Sequence, residues 1–198
     1  MKSIREFKKL AALVKSPLFS SSDAKKQGVS SSLLNYYARR GLIDKLQRGI
    51  YRGKESSLNV DFKYEDLILS AKSIPAGIVC LVSALSVYDL TDEIPREHWI
   101  AIPHQDKAPK RSGVKVVRMR NINIGQTEMK IGNQTIKIFN RERTILDAFR
   151  YLGKEQAVKT LKSALAKKGK EKIYIEKIRK YARVLRVNID SYIIAVTV

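Results

Sequence analysis

A single cysteine, Cys80, stands among 198 residues, so no disulfide framework can hold this chain together. His98 and His104 are the only histidines, and with one cysteine they cannot easily build a zinc site. Cys80 sits in "IVCLV" and reads as a small buried hydrophobe. Acids are scarce: 19 Asp and Glu face 39 Lys and Arg, for a formal net charge of +20. No apolar run approaches the roughly 20 residues of a spanning helix. The opening MKSIREFKKL is charged throughout and lacks an apolar signal core, so a cytoplasmic protein without a membrane partner is expected. Glycine-rich phosphate loops and a G-x-S-x-G elbow are missing too. What remains is a hydrophobic content of 44%, enough to bury a core in one or two domains. The strong basic excess implies a polyanionic partner, most simply nucleic acid.

The charge is uneven. Residues 1–60 hold 13 basic and 4 acidic residues, net +9. Residues 61–145 hold 13 and 10, net +3, and residues 146–198 hold 13 and 5, net +8. Solubility alone does not require two basic ends around a balanced centre, so polyanion contacts are sought at both ends.

At the first end, Ile4, Phe7, Leu10, Ala11 and Val14 form one helical stripe that stops near Pro17. Ser20 to Asp23 offer caps for a short second helix through about Gln27, with Gly28 as its stop. The Ser30-Ser31-Ser32 run suits the cap of a third helix, "SSLLNYYARR", closing at Gly41. Leu34, Tyr37 and Ala38 share its inner face; Ser32, Asn35, Tyr36 and Arg39 lie opposite. In "GLIDKLQRGIYRG", Leu42-Ile43 and Ile50-Tyr51 suggest paired strands, with Lys45 to Gly49 as the hairpin tip. Helix, short helix, helix and basic hairpin are the ingredients of a winged helix-turn-helix whose third helix fits a major groove. The candidate DNA contacts are Ser31, Ser32, Asn35, Tyr36, Arg39 and Arg40 on that helix, and Lys45, Gln47 and Arg48 on the wing.

Residues 53–60, "GKESSLNV", read as a polar linker. The domain division expected is therefore 1–54, a linker at 55–60, and 61–198. Beyond it, the pattern predicts a helix over Tyr64–Lys72 and a buried strand over Ile78–Val82. Ser83 is expected to cap a helix with Leu85 and Leu90 inward. Strands are expected at His98–Pro103 and Gly113–Met119, followed by a hairpin turning at Gly132-Asn133. Residues 141–187 read as helices with inward stripes Ile145, Ala148, Phe149, Leu152, then Ala157, Val158, Leu161, Leu165, then Ile178, Tyr181, Ala182, Leu185. Lys172, Arg179, Lys180, Arg183 and Arg186 form a second basic face, for DNA phosphate or an acidic partner surface, or simply for solvent. Residues 188–198 are apolar and β-branched, and fit strand or helix equally. The expected class is α+β: an N-terminal winged helix-turn-helix followed by a mixed α/β domain ending in basic helices.

The segment "GVSSSLLNYYARRGLIDKLQRGIYRG" resembles the N-terminal winged-helix domain of the AbiEi antitoxins of abortive-infection (type IV) toxin–antitoxin systems. Gly41, Leu42, Ile43, Arg48, Gly49, Ile50 and Tyr51 carry the likeness. It continues through Val82-Ser83-Ala84-Leu85-Ser86-Val87-Tyr88-Asp89-Leu90, Trp99-Ile100-Ala101-Ile102-Pro103, Gly113-Val114 and Arg143-Thr144-Ile145-Leu146-Asp147-Ala148, so that it spans about residues 25–150. The resemblance implies an antitoxin of a phage-defence system that represses its own operon by binding operator DNA. It also implies a functional partner, a nucleotidyltransferase toxin, without a stable complex between the two. The alternative from the residues alone is a standalone winged-helix transcriptional regulator whose C-terminal domain dimerises or senses.

Catalysis has little to stand on. Glu128 and Lys130 form an E-x-K pair on an expected strand, with Asp106 before them, as a Mg²⁺ nuclease would use. Alternating charges on an exposed strand face are far commoner. No enzyme activity, metal or cofactor is expected.

Overall fold

A computed structural model describes residues 11–57, 59–74 and 76–197. Of the expected first helix, residues 11–14 are helical; Ile4 to Leu10 lie outside the described residues. The chain falls into two units. The first holds the described residues up to 74 and Lys130–Thr135. The second holds Ala76–Met129 and the described residues from Ile136 onward.

In the first unit, β1 (Phe19–Ser20) leads directly into α1 (Ser21–Lys26), and α2 (Ser31–Arg39) follows. Each helix starts on a serine because a hydroxyl can accept a bond from an otherwise orphaned N–H of the first turn. The Asp23 N–H donates to Ser20 Oγ at 3.1 Å, and the Ser20 N–H returns a bond to Asp23 Oδ2 at 3.0 Å. This is the reciprocal capping box. Partial burial opposes ionisation of Asp23, but the Ser20 bonds outweigh it and hold its carboxyl below the ordinary value. Ser30 caps α2 through Leu33 N–H. Then come β2 (Ile43–Gln47) and β3 (Ile50–Gly53), in a three-stranded sheet ordered β1-β3-β2. Strand β1 was not expected, because two residues carry no periodicity; Phe19 pairs with Tyr51 and their rings stack at 5.7 Å. Leu13, Phe19, Ala24, Leu34, Tyr37 and Ile43 are among the residues of this core.

The stretch expected as a linker is tied down over its first half. Gly53 N–H donates to Ser16 O at 2.9 Å, Glu55 N–H to Val14 O at 3.3 Å, and Ser56 Oγ to Ser16 O at 2.7 Å. Polar composition says nothing about which distant backbone groups will meet these residues. Helix α3 (Phe62–Ser73), capped by Asp61, completes the run.

The second unit contains β4 (Ile78–Val79), α4 (Leu81–Val87), β5 (His98–Pro103), β6 (Val114–Met119), β7 (Gln126–Ile131) and β8 (Gln134–Phe139). The turn joining β7 and β8 is grouped with the first unit. The sheet is mixed, ordered β6-β5-β4-β8-β7: β5 and β6 are parallel, β4 is antiparallel to β5 and parallel to β8. Helices α5 (Arg141–Tyr151), α6 (Lys154–Ala166), α7 (Ile175–Leu185) and α8 (Asp190–Thr197) follow, with a 3₁₀ turn at Gly169–Glu171. Residues 190–197 are thus helical.

Two expectations fail at β4. The strand stops at Val79, and Cys80 occupies the cap position of α4 without a side-chain bond. Ser83 lies inside that helix, where its Oγ accepts Trp99 N–H at 2.8 Å. Its hydroxyl serves the neighbouring strand, and a local capping rule cannot see that partner. Trp99 is half-buried and packs against the core of this unit, with Lys115 Nζ 3.9 Å from its ring centroid.

Helix α5 buries charge. Arg143 and Asp147 are both 0% exposed, and Arg143 Nε donates to Asp147 Oδ2 at 2.8 Å. The same guanidinium donates to Asn121 O at 3.0 Å and Ile124 O at 2.9 Å, and lies 4.4 Å from the Phe139 ring centroid. It therefore stitches the β6–β7 loop to the helix. Gly125, at φ +72°, sits 2.5 Å from Arg143 Cβ at the point where its own Cβ would stand, so this loop admits no side chain there. Burial pushes the Asp147 carboxyl above its ordinary value despite the pull of Arg143 and Arg150. Burial likewise pushes the Tyr88 hydroxyl, which donates to Phe139 O, up to about 12.

Candidate nucleic-acid interface

Helix α2 is amphipathic in the sense its spacing predicts. Leu34 and Tyr37 are buried in the first unit's core, while Ser31, Ser32, Asn35, Tyr36, Arg39 and Arg40 are exposed. Tyr36 leaves half of its surface open, and the Arg40 guanidinium lies 5.4 Å from its ring centroid. That contact braces both side chains on the outer face. Ser32 Oγ lies 3.3 Å from Ser30 Oγ, so this hydroxyl is partly drawn into the cap. Arg39 has no ion pair among the described residues.

The β2–β3 hairpin turns at Arg48-Gly49. Gly49 supplies the φ of +80° that the turn needs, and its carbonyl accepts Ser21 N–H at 2.8 Å, which anchors the wing to the start of α1. Arg48 is exposed at the tip and unpaired among the described residues. Lys45 is not at the tip. It lies within β2 opposite Tyr51, because a register shift between Lys45 and Gln47 lengthens the strand and shortens the turn. Its side chain is exposed. Gln47 is otherwise employed: Nε2 donates to Leu69 O at 2.8 Å and ties β2 to α3. A long-range bond of this kind leaves no mark in local sequence.

Asp44 is the acid of this wing. Lys54 reaches it at 2.9 Å and Arg52 at 3.2 Å, and the Lys54 bond, then the Arg52 bond, hold its carboxyl below the ordinary value. Two wing cations are thus neutralised across the strands, and Lys45 and Arg48 are left over. The sequence expectation omitted Lys25 and Lys26, which are exposed in the last turn of α1; their adjacent pairing in "DAKKQG" was the available signal.

The second basic face is less uniform than its spacing implied. Lys172 lies before α7, at the end of the 3₁₀ turn. Arg179 is held on both sides, by Asp190 at 2.8 Å and Glu176 at 3.1 Å. Arg186 caps α7 in the left-handed region, at φ +56°, and so leaves the helical stripe. Only Lys180 and Arg183 of the five remain exposed on the helix without an ion pair among the described residues. An i, i+4, i+7 count assumes a continuous helix and free side chains, and here neither holds.

Glu128 and Lys130 are exposed neighbours on β7. Among the described residues no group of three His, Cys, Asp or Glu is placed to share a metal ion, and no helix is long and apolar enough to cross a membrane.

Residues 8–52 match the family model described as "Transcriptional regulator, AbiEi antitoxin". The matched segment includes α1, α2 and β2 and ends within β3, so it contains every candidate contact on the helix and the wing. It also contains the Gly41 to Tyr51 residues on which the resemblance was based. The sequence patterns at 82–90, 99–103 and 143–148 lie outside it. No curated protein matches the chain.

Proposed function

We propose that this protein is the antitoxin of a type IV, abortive-infection toxin–antitoxin system and that it represses its own operon by binding operator DNA. The first unit acts as a winged helix-turn-helix. Helix α2 enters the major groove, where Asn35 and Arg39 meet base edges or phosphates, and the β2–β3 wing brings Lys45 and Arg48 to the backbone. The observation that carries this is the separation on α2: Leu34 and Tyr37 are buried while Asn35, Tyr36 and Arg39 face outward beside a wing whose Arg48 is unpaired. Polar groups able to read bases and cations able to hold phosphates are thus presented together on elements fixed by caps and a sheet. The protein is not an enzyme and needs no cofactor. Its functional partner is a nucleotidyltransferase toxin encoded with it, which it counters without a stable complex.

An electrophoretic shift assay on DNA from upstream of its own gene tests repression. Preferential binding over random duplex is expected, and binding no better than to random DNA overturns the operator assignment. Growth rescue on co-expression with a neighbouring nucleotidyltransferase tests antitoxicity. Operator binding without rescue points to a standalone regulator.

A further inference from the structure

A cavity of about 340 Å³ in the second unit is lined by Arg120, Asn121, Arg150, Val184, Leu185 and Arg186. These residues come from the loop after β6, the last turn of α5 and the end of α7, so arginines from three separate elements converge on one concavity. We propose that this pocket binds a phosphate or pyrophosphate group, belonging either to a nucleoside polyphosphate or to a nucleic-acid backbone.

The local charge count favours an anion. Asp147 does not line the pocket; it bonds the lining Arg150 at 2.8 Å and the buried Arg143 at 2.8 Å. Arg120 and Arg186 are exposed and have no acidic partner among the described residues. The lining thus holds three guanidinium groups and no carboxylate, and like charges gathered around a concave surface raise its potential for anions. The backbone places two of the arginines, and side-chain contacts place the third. Arg120 precedes Asn121, whose carbonyl is held by buried Arg143 and whose φ is +51°. Arg150 is fixed between Asp147 and the Tyr151 ring, 4.9 Å from its centroid. Arg186 is turned out of the helix by its left-handed backbone. Planar guanidinium forks suit the oxygens of a phosphate better than the point charge of a lysine does. Val184, half-exposed, gives the rim one apolar wall. The site is independent of the α2 and wing surface, since none of its residues belongs to the first unit.

The experiment titrates inorganic pyrophosphate into the full chain by calorimetry at fixed ionic strength. Saturable binding is expected. Arg120→Gln and Arg186→Gln should each weaken it about tenfold, the loss expected for one hydrogen bond to a charged group. Arg39→Gln combined with Arg48→Gln should leave it unchanged, so failure of the DNA assignment would not move this readout. Both pocket variants spare the buried Arg143–Asp147 pair, and thermal unfolding checks that they fold. If one does not, Arg120→Lys, which keeps the charge but loses the fork, should bind with intermediate affinity. Two arms separate the sources. Displacement of labelled duplex DNA by pyrophosphate from the wild type, but not from the pocket variants, identifies backbone phosphate. Saturable ATP binding that leaves the duplex bound identifies a nucleoside polyphosphate. Absence of saturable pyrophosphate binding, wild-type affinity in both pocket variants, or an equal loss in the Arg39 and Arg48 variant overturns the proposal.

Discussion

Residues 1–60 and residues 146–198 carry almost the same net charge, +9 and +8, yet they handle it differently. Around α2 and the wing, Arg39, Lys45 and Arg48 are exposed and unpaired among the described residues, and Asp44 neutralises only Arg52 and Lys54. In the C-terminal region Arg150, Lys159, Lys167, Lys177 and Arg179 have carboxylates. Lys177 meets Glu142 at 3.1 Å, Lys167 meets Asp89 at 2.7 Å, and Arg179 meets Asp190 and Glu176. A regional charge sum sets the long-range field, but pairing decides which cations are left for a ligand. The first end offers a surface of free cations, whereas at the other end the arginines without an ion pair among the described residues are Arg183, exposed on α7, and Arg186, which lines a pocket with Arg120 and the Asp147-bound Arg150.

The contrast can be broken most forcefully at the buried pair. Asp147→Ala leaves Arg143 charged and uncompensated, which should cost about 3–5 kcal/mol in urea unfolding. Combining Arg143→Met with Asp147→Leu should recover only part of this, because the Asn121 and Ile124 carbonyls lose their donor. A cost below about 1 kcal/mol for Asp147→Ala would mean that the pair is solvated and behaves like the surface pairs. Next in size is Asn35→Ala. It should reduce discrimination between operator and mismatched sites by about 1–3 kcal/mol in competition shift assays if the amide makes a bidentate base contact. An equal loss on random DNA would reassign Asn35 to the backbone.

Arg48→Ala should weaken operator and random DNA alike and reduce the log–log salt slope by about 0.9 for one phosphate contact. An unchanged slope would mean the wing tip stays off the DNA. The paired face should respond in the opposite way: Arg179→Ala should lower the melting temperature slightly through its two partners, and Arg183→Ala should leave it almost unchanged. Equal thermal shifts for the two would show that the Arg179 pairs contribute nothing. The smallest effect concerns acid. The carboxyl of Asp23 titrates below its unfolded value of 3.8, so its contribution is complete above 3.8 and is lost as pH falls toward the folded value. Asp23→Asn should flatten the acid limb of the melting temperature against pH and leave the neutral region almost level. An acid limb of unchanged steepness would remove Asp23 from the account.

Much of the first unit could be read locally. Ser20 and Ser30 as caps, Leu34 and Tyr37 as the inner face of α2, and Gly49 at the wing turn all follow from rules that span a few residues. The errors have a common cause. Lys45 left the tip because a bulge shifted the register, Gln47 was claimed by Leu69 O, and Ser83 was claimed by Trp99 N–H. Each depends on a partner elsewhere in the chain. Arg143 and Asp147 lie off the inward stripe that the spacing assigns to α5 yet are buried, since four-residue spacing is the same whether a pair faces water or a core.

By itself, the sequence determined what acts over short range or by simple addition: the caps, the helical and strand periods, the turn glycines and the strongly basic balance. The tertiary structure decided which charges are neutralised and which converge. Arg179 is paired because α8 delivers Asp190 to it, and Arg120, Arg150 and Arg186 share a cavity because three elements end at the same place. Coulomb interactions and hydrogen bonds depend on distance in space, and residues 120, 150 and 186 become neighbours only when the chain has folded.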